Sequence, residues 1–271
     1  MAGEIATETG SRLWRKTHFR TLWSSDLPLE LKFSLSRDLF RGREAFIFAG
    51  GPSLLRVDLD RLRDRLRNAL VICIKQTVDV VGPESDLMVM NFCNFSAYDW
   101  GSIGCPVIWA TFDPSHPDLI RSKNATCNAT FEVVENGPNT EEGFRISTAG
   151  RQHWENFGRF TDGKVRWGPG LMYELAMPVA VHAGVSHIHL VGWDIGTLSK
   201  ETQQGFMNEH FYKNDKVEMK TGITNLEITT VADSTRDLRL WLEGRGIGLS
   251  VISDRSLVDA SVPREPEWLK A

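Results

Sequence analysis

Glu44-Ala45-Phe46-Ile47-Phe48-Ala49-Gly50-Gly51-Pro52-Ser53-Leu54 is the stretch that decides the fold. Ala45 to Ala49 form a short uncharged run of aromatic and aliphatic residues that ends on two glycines and a proline. That is the pattern of a buried strand entering a tight turn. Beyond the turn, Leu55, Leu59, Leu62 and Leu66 keep helical spacing with Arg and Asp between them, so a helix is expected from near Ser53. Glycines at such a turn let a ligand approach the main chain, and free N–H groups at a following helix start favour a phosphate or other polar group. The same turn is also simply a good helix start, so the signal needs company.

Working outward, the strand-then-helix order repeats. Ala69 to Ile74, Asp86 to Phe92 and Pro106 to Phe112 are further apolar runs of strand length. Runs apolar on both faces belong to a sheet covered by helices, usually a parallel one. After a less regular stretch from 113 to 167, which reads as an insert around Asn136-Gly137-Pro138-Asn139, the order returns. A helix is expected through Leu171 to Ala183, a strand over His187 to Val191, a helix over Thr235 to Gly244 and a last strand over Gly248 to Ile252. Gln203 to Val217 mixes Gly, Asn, Asp and Lys and reads as an exposed loop of the kind that forms lids. The expected architecture is an α/β, Rossmann-like, doubly wound and mostly parallel sheet over residues 44–255, with a small lid insert at about 197–230. An N-terminal arm, 1–43, precedes it and a tail, 256–271, follows.

In that arm Arg12, Trp14, Arg15, Lys16, His18, Phe19, Arg20 and Trp23 interleave cations with rings. They suit either a patch resting on an anionic membrane surface or glycolipid, over residues 12–23, or an amphipathic arm packed across the main domain. The second reading is favoured, because the segment is short and the chain is acidic overall, with a formal net charge of -4. That charge also argues against nucleic acid as a partner. Cys73, Cys93, Cys105 and Cys127 form no CxxC or Cys/His pairing, so no metal site is expected. No apolar stretch reaches the roughly 18 residues that span a bilayer and no signal-peptide core is seen, so the expected location is the cytoplasm, with peripheral membrane contact open.

In a sheet of this kind ligands bind beyond the carboxyl ends of the strands. The residues there are Gly50, Gly51, Pro52 and Ser53, then Lys75 and Gln76, Asn91 with Asn94, Asp113, and Gly192, Trp193 and Asp194. No third glycine follows Gly51 at dinucleotide spacing, and the second strand ends in Lys75-Gln76 where a ribose-binding acid would be expected, so NAD is not indicated. No GxxxxGK[ST] loop is present either. Amide side chains such as Asn91 and Asn94 can read a base edge or a sugar hydroxyl, or close a strand end by turn bonding. Arg166 ahead of Gly168-Pro169-Gly170 opens a helix and suits a phosphate or carboxylate. His182, His187 and His189 read as structural. His210, with Tyr212 two residues on, stands in the lid as a candidate base for a sugar hydroxyl.

Taken together these stretches resemble glycosyltransferase family 42, the bacterial sialyltransferases, and more broadly the motility accessory factors and an archaeal pterin diphosphokinase. The matching stretches are Gly50-Gly51-Pro52-Ser53-Leu54, Cys73-Ile74-Lys75-Gln76, Val89-Met90-Asn91, and Arg166-Trp167-Gly168-Pro169-Gly170 leading on to Leu190-Val191-Gly192-Trp193-Asp194. The resemblance implies a nucleotide role for Gly50, Gly51, Ser53, Gln76, Asn91, Gly168 and Gly170. It also implies transfer of a sialic-acid-like sugar from a CMP-activated donor to a glycan or glycolipid hydroxyl, by inversion and without a metal or other cofactor. Lys75 replaces an Asn of the family and Pro169 a Ser. The family's phosphate-binding tyrosine corresponds to Gly196 and its base histidine falls near Thr230, so His210 and Tyr212 are the candidates to serve instead. The pterin branch would need magnesium held by paired Asp after the third strand, where this chain has Met90-Asn91-Phe92. A magnesium-dependent diphosphokinase and a non-catalytic nucleotide or glycan binder are the alternatives, and a homo-oligomer is open.

Overall fold

The computed structural model describes residues 2–91, 98–111, 113–134, 163–166, 170–195, 197–198, 206–207 and 225–270, the side chains of 2–12, 134, 166, 197–198, 206–207 and 225–230 excepted. Helices α1 (Ala2–Ser24) and α2 (Leu29–Ser36) precede β1 (Glu44–Phe48). Then come α3 (Leu59–Leu66), β2 (Leu70–Ile74), α4 (Thr77–Val81), β3 (Leu87–Asn91), β4 (Val107–Thr111), α5 (His116–Ser122), β5 (Ala129–Val134) and β6 (Lys164–Arg166). A π-helical turn, Met172–Ala176, leads into α6 (Met177–His182) and β7 (His187–Val191). The short strands β8 (Thr197–Leu198) and β9 (Phe206–Met207) pair antiparallel, and α7 (Asn225–Glu243) runs into β10 (Gly248–Ile252).

The eight-stranded sheet has the order β10-β7-β1-β2-β3-β4-β5-β6 and every pair in it is parallel. From β1 the chain winds outward to β6, then returns to the other side of β1 as β7. The direction of winding therefore reverses between β1 and β7, which is where doubly wound sheets open a crevice. Alternation along β1 explains the two cores. Ala45 and Ile47 face one side with Phe19, Trp23, Phe33 and the π-turn, while Phe46 and Phe48 face the other with Leu54, Leu62 and Leu66. Burial of each such aromatic or branched side chain stabilises by roughly 1.5–3 kcal/mol.

Three expectations are corrected. The helix after the first turn does not start at Ser53: Pro52–Arg56 is a 3-10 turn, Val57 is extended, and Asp58 caps α3 by accepting the Arg61 N–H at 3.2 Å. The cause lies far away in sequence. The C-terminal tail pairs with this segment, Asp58 N donating to the Trp268 carbonyl at 2.8 Å and Lys270 N to that of Arg56 at 2.7 Å, which draws the chain out of helical geometry. Second, the 113–167 stretch is not wholly an insert, since β5 and β6 extend the sheet on one side. Third, the end of the proposed lid is helical, because α7 begins at Asn225 rather than near Thr235.

The N-terminal arm packs across the domain. Lys16 Nζ and Arg20 Nε each lie 2.8 Å from the buried Asp86 carboxylate, and Lys16 also donates to the carbonyls of Leu66 and Ala69. With Phe19, Leu22 and Trp23 buried as well, the described cations and rings are largely turned inward, leaving Leu13 and Trp14 exposed. Among the described residues no helix is long and apolar enough to cross a membrane.

Candidate functional site

The turns after β1 and β7 are tied directly to one another. Ala49 N donates to the Val191 carbonyl at 2.8 Å and Gly51 N to that of Gly192 at 2.9 Å. Asp194 then grips the turn: it accepts from Ser53 N at 2.9 Å, Ser53 Oγ at 2.6 Å and Ser253 Oγ at 2.5 Å. Ser53 and Asp194 are 1% and 2% exposed, so this carboxylate holds the protein's own backbone rather than facing a cleft. Glycine is required on both sides of the lock. A Cβ on Gly51 would meet Gly192 O at 2.4 Å, and Gly192 adopts φ +67° with Ala49 O 2.7 Å from where its Cβ would stand. Two of the turn's amides, those of Gly51 and Ser53, are therefore already engaged, and Pro52 has none to offer.

Next to this lock, the end of β2 is different. Lys75 is held at φ +55°, a left-handed conformation that non-glycine residues seldom take, with its N–H bonded to the Val89 carbonyl at 3.1 Å. Strain of this kind concentrates at ligand sites. The strained residue turns the chain into α4, and Thr77 Oγ1 fastens that turn by donating to the carbonyl of Phe48 or Ile74, at 3.2 and 3.1 Å. Between them sits Gln76, whose side-chain Nε2 and Oε1 are both buried and have no hydrogen-bond partner among the described residues. Asn91, half-buried, ends the neighbouring β3.

The π-turn covers the same end of the sheet, packing against β2. Pro178 has no N–H to close an α-helical bond to Glu174, and the turn ahead of it widens accordingly. Gly170, exposed at φ +85°, starts this element by accepting the N–H groups of Tyr173 and Glu174. Tyr173 packs edge-on against Trp193 with ring centroids 5.6 Å apart, and its hydroxyl lies 3.1 Å from Ser234 Oγ on α7. Burial pushes this phenol above its ordinary pKa, against the pull of the Ser234 bond.

Of the residues singled out in the sequence, Gly50, Gly51, Pro52, Ser53, Lys75, Gln76, Asn91, Gly192, Trp193 and Asp194 thus share the carboxyl end of four adjacent strands, β7-β1-β2-β3. Arg166 ends β6, five strands from β1, about 24 Å at the usual strand spacing. Asn94, Gly168, Pro169, Gly196, His210 and Tyr212 lie outside the described residues, and of Thr230 only the backbone in α7 is described. Reading the sequence missed Ser253, whose hydroxyl completes the Asp194 lock, and Glu174, a buried carboxylate on the π-turn. A Glu inside an otherwise apolar helix was the available signal for the latter; nothing local marked Ser253.

No protein-family model matches the chain, and no curated protein does. Among solved structures, it is similar to the sialyltransferase CstII from Campylobacter jejuni in complex with the substrate analogue cytidine-5'-monophosphate. The identity is 15%, the match covers 84% of this chain and 87% of that one, and the TM-score is 0.44. A second CST-II structure, in complex with a trisaccharide acceptor and CMP, matches at 15% identity over 84% and 88% of the two chains, TM-score 0.41. The MAf glycosyltransferase from Magnetospirillum magneticum AMB-1 matches at 13% identity and TM-score 0.41, over 88% of this chain but 38% of that one. At this distance the likeness assigns no residue a role. None of the three is a pterin enzyme.

Proposed function

We propose that the chain is a glycosyltransferase that takes its sugar from a nucleotide-activated donor, bound at the carboxyl end of β7-β1-β2-β3. The observation that carries this reading is Gln76. Leaving a buried amide unbonded costs about 1–3 kcal/mol, and a base edge offering a donor beside an acceptor is the chemistry that would satisfy both of its atoms. Lys75, beside it, supplies a cation suited to the phosphate of the same ligand, and Asn91 a further amide. The Asp194 lock serves by keeping the β1 turn rigid against this cleft.

The finer reading is that the donor is a CMP-activated nonulosonic, sialic-acid-like sugar. The acceptor is a glycan or glycolipid hydroxyl, which attacks the anomeric carbon as CMP departs, inverting the centre. In this reading His210, assisted by Tyr212, takes the acceptor proton, and no metal takes part. The motif resemblance supports the cytidine assignment. Two assays test the scheme. CMP release from CMP-sialic acid is expected, stimulated by glycan acceptors, unchanged by EDTA and abolished in His210→Ala with nucleotide binding nearly intact. Magnesium-dependent AMP release from ATP with a pterin alcohol would instead indicate the diphosphokinase chemistry, and nucleotide binding without turnover a binding protein.

A further inference from the structure

A second polar cluster lies on the face of the sheet toward the beginnings of the strands, away from the cleft. His187 and His189 are two apart on β7, so both rings project from one face, stacked with centroids 4.2 Å apart. Glu265, from the C-terminal tail, comes to 3.0 Å from His189 Nδ1. One nitrogen from each ring and one Glu265 oxygen lie within 4.8 Å of one another. All three residues also converge on a fourth oxygen: Ser250 Oγ, on the neighbouring β10, is 2.8 Å from His187 Nε2, 3.0 Å from His189 Nδ1 and 2.7 Å from Glu265 Oε1.

Two independent features mark the arrangement as built. Gly248 is paired with His187 across the ladder, and a Cβ there would stand 2.2 Å from His187 Nδ1, so the missing side chain is what lets the ring lie flat and reach Ser250. Glu44, on β1, stands 3.5 Å from His189 Nε2, on the side of the ring away from the cluster. At 3.5 Å it stands at the limit of a hydrogen bond, and a carboxylate that closes on the outer nitrogen is the usual support of a metal-ligating histidine. Arg65 also reaches that nitrogen, at 3.0 Å, and lies 4.0 Å from Glu265, but Glu44 pairs with it at 2.6 Å. With both imidazoles neutral, as metal binding requires, two carboxylates against one guanidinium leave the cluster with a net negative charge before any ion enters.

We propose that His187 Nε2, His189 Nδ1 and the Glu265 carboxylate bind a zinc ion, with the Ser250 oxygen or a water in the fourth position. Two imidazoles and a carboxylate suit zinc over magnesium or calcium, which prefer all-oxygen shells. The ion would pin the C-terminal tail to β7 and β10, and through the tail the segment after the first glycine turn.

The test is a zinc titration of the EDTA-stripped, dialysed full chain by calorimetry, with cobalt absorption as a second readout. One equivalent is expected to bind, raising Tm by about 5 °C or more at a hundredfold excess over Kd. His187→Gln and Glu265→Gln should each weaken binding at least tenfold, with far-UV circular dichroism unchanged, while His116→Gln binds as wild type. Should Glu265→Gln not fold, the half-buried His187→Gln carries the comparison alone. No saturable binding by the folded wild type, or binding undiminished in His187→Gln, would overturn the proposal and leave a closed hydrogen-bond network.

Discussion

Replacing Asp194 by alanine removes the acceptor for three donors at once: the Ser53 N–H and the hydroxyls of Ser53 and Ser253. The hydroxyls can rotate toward other acceptors, but the Ser53 amide is buried and fixed. An unsatisfied buried amide costs about 1–3 kcal/mol, and the two displaced hydroxyls about 1 kcal/mol each, giving about 3–5 kcal/mol in total. For a chain of this size that corresponds to a fall in Tm of roughly 6–12 °C. Asp194→Asn keeps the shape and one acceptor, and the hydroxyls can accept from its amide, so its cost should be about 1 kcal/mol. Chemical denaturation of both variants and of the Ser53→Ala, Asp194→Ala pair measures the coupling, which should be well short of additive. An Asp194→Ala protein that loses under 1 kcal/mol while losing nucleotide affinity would refute the lock and make Asp194 a ligand contact.

Gln76→Leu should stabilise the free protein by about 1 kcal/mol, because an unbonded amide gives way to apolar surface, while nucleotide affinity falls about tenfold; denaturation and calorimetry on the same sample check both. Asp86→Ala strands the buried Lys16 ammonium and the buried Val71 N–H, and releases the partly exposed Arg20, and should cost about 3–5 kcal/mol in urea melts, far more than an exposed pair such as Arg41→Ala beside Asp38. Stability should also depend on pH through His182, whose pKa burial holds below the ordinary 6.5, with Arg37 acting the same way against the Phe33 carbonyl bond and Asp38. The unfolded chain takes up a proton near that value while the folded chain resists it, so the contribution is complete above it and is lost as pH falls. Between about pH 7.5 and 5.5 the wild type should lose up to about 1.4 kcal/mol more than His182→Gln, which donates the same bond without titrating.

Of the strands, β5 and β6 escaped the sequence because their runs are short and mixed, while β1, β2, β3, β4, β7 and β10 were legible as apolar runs, which report burial directly, four of them ended by Gly, Lys or Asn. Their placement was not, since nothing in His187 to Val191 says that it pairs with Glu44 to Phe48 instead of extending the far edge. The helix start at Ser53 misled for a physical reason: Leu55 fits the helical period yet is exposed, and pairing with the tail at Trp268 and Lys270 overrides the local pattern. The glycines were read as open to a ligand, whereas Gly51 and Gly192 serve equally to let two backbones touch. Gln76 was visible as a strand-end amide, but only packing shows that both of its polar atoms are buried without a bond among the described residues. The His187, His189 and Glu265 cluster needed the tail in place, because 76 residues separate His189 from Glu265.

Calorimetric titration of the folded chain with CMP, alongside UMP, GMP and AMP, tests the central reading most directly. One saturable site with a preference for CMP is expected, weakened about tenfold in Gln76→Leu while that variant melts cooperatively and slightly above the wild type. A folded protein that binds none of the four, or binds CMP equally well without the Gln76 amide, would contradict it.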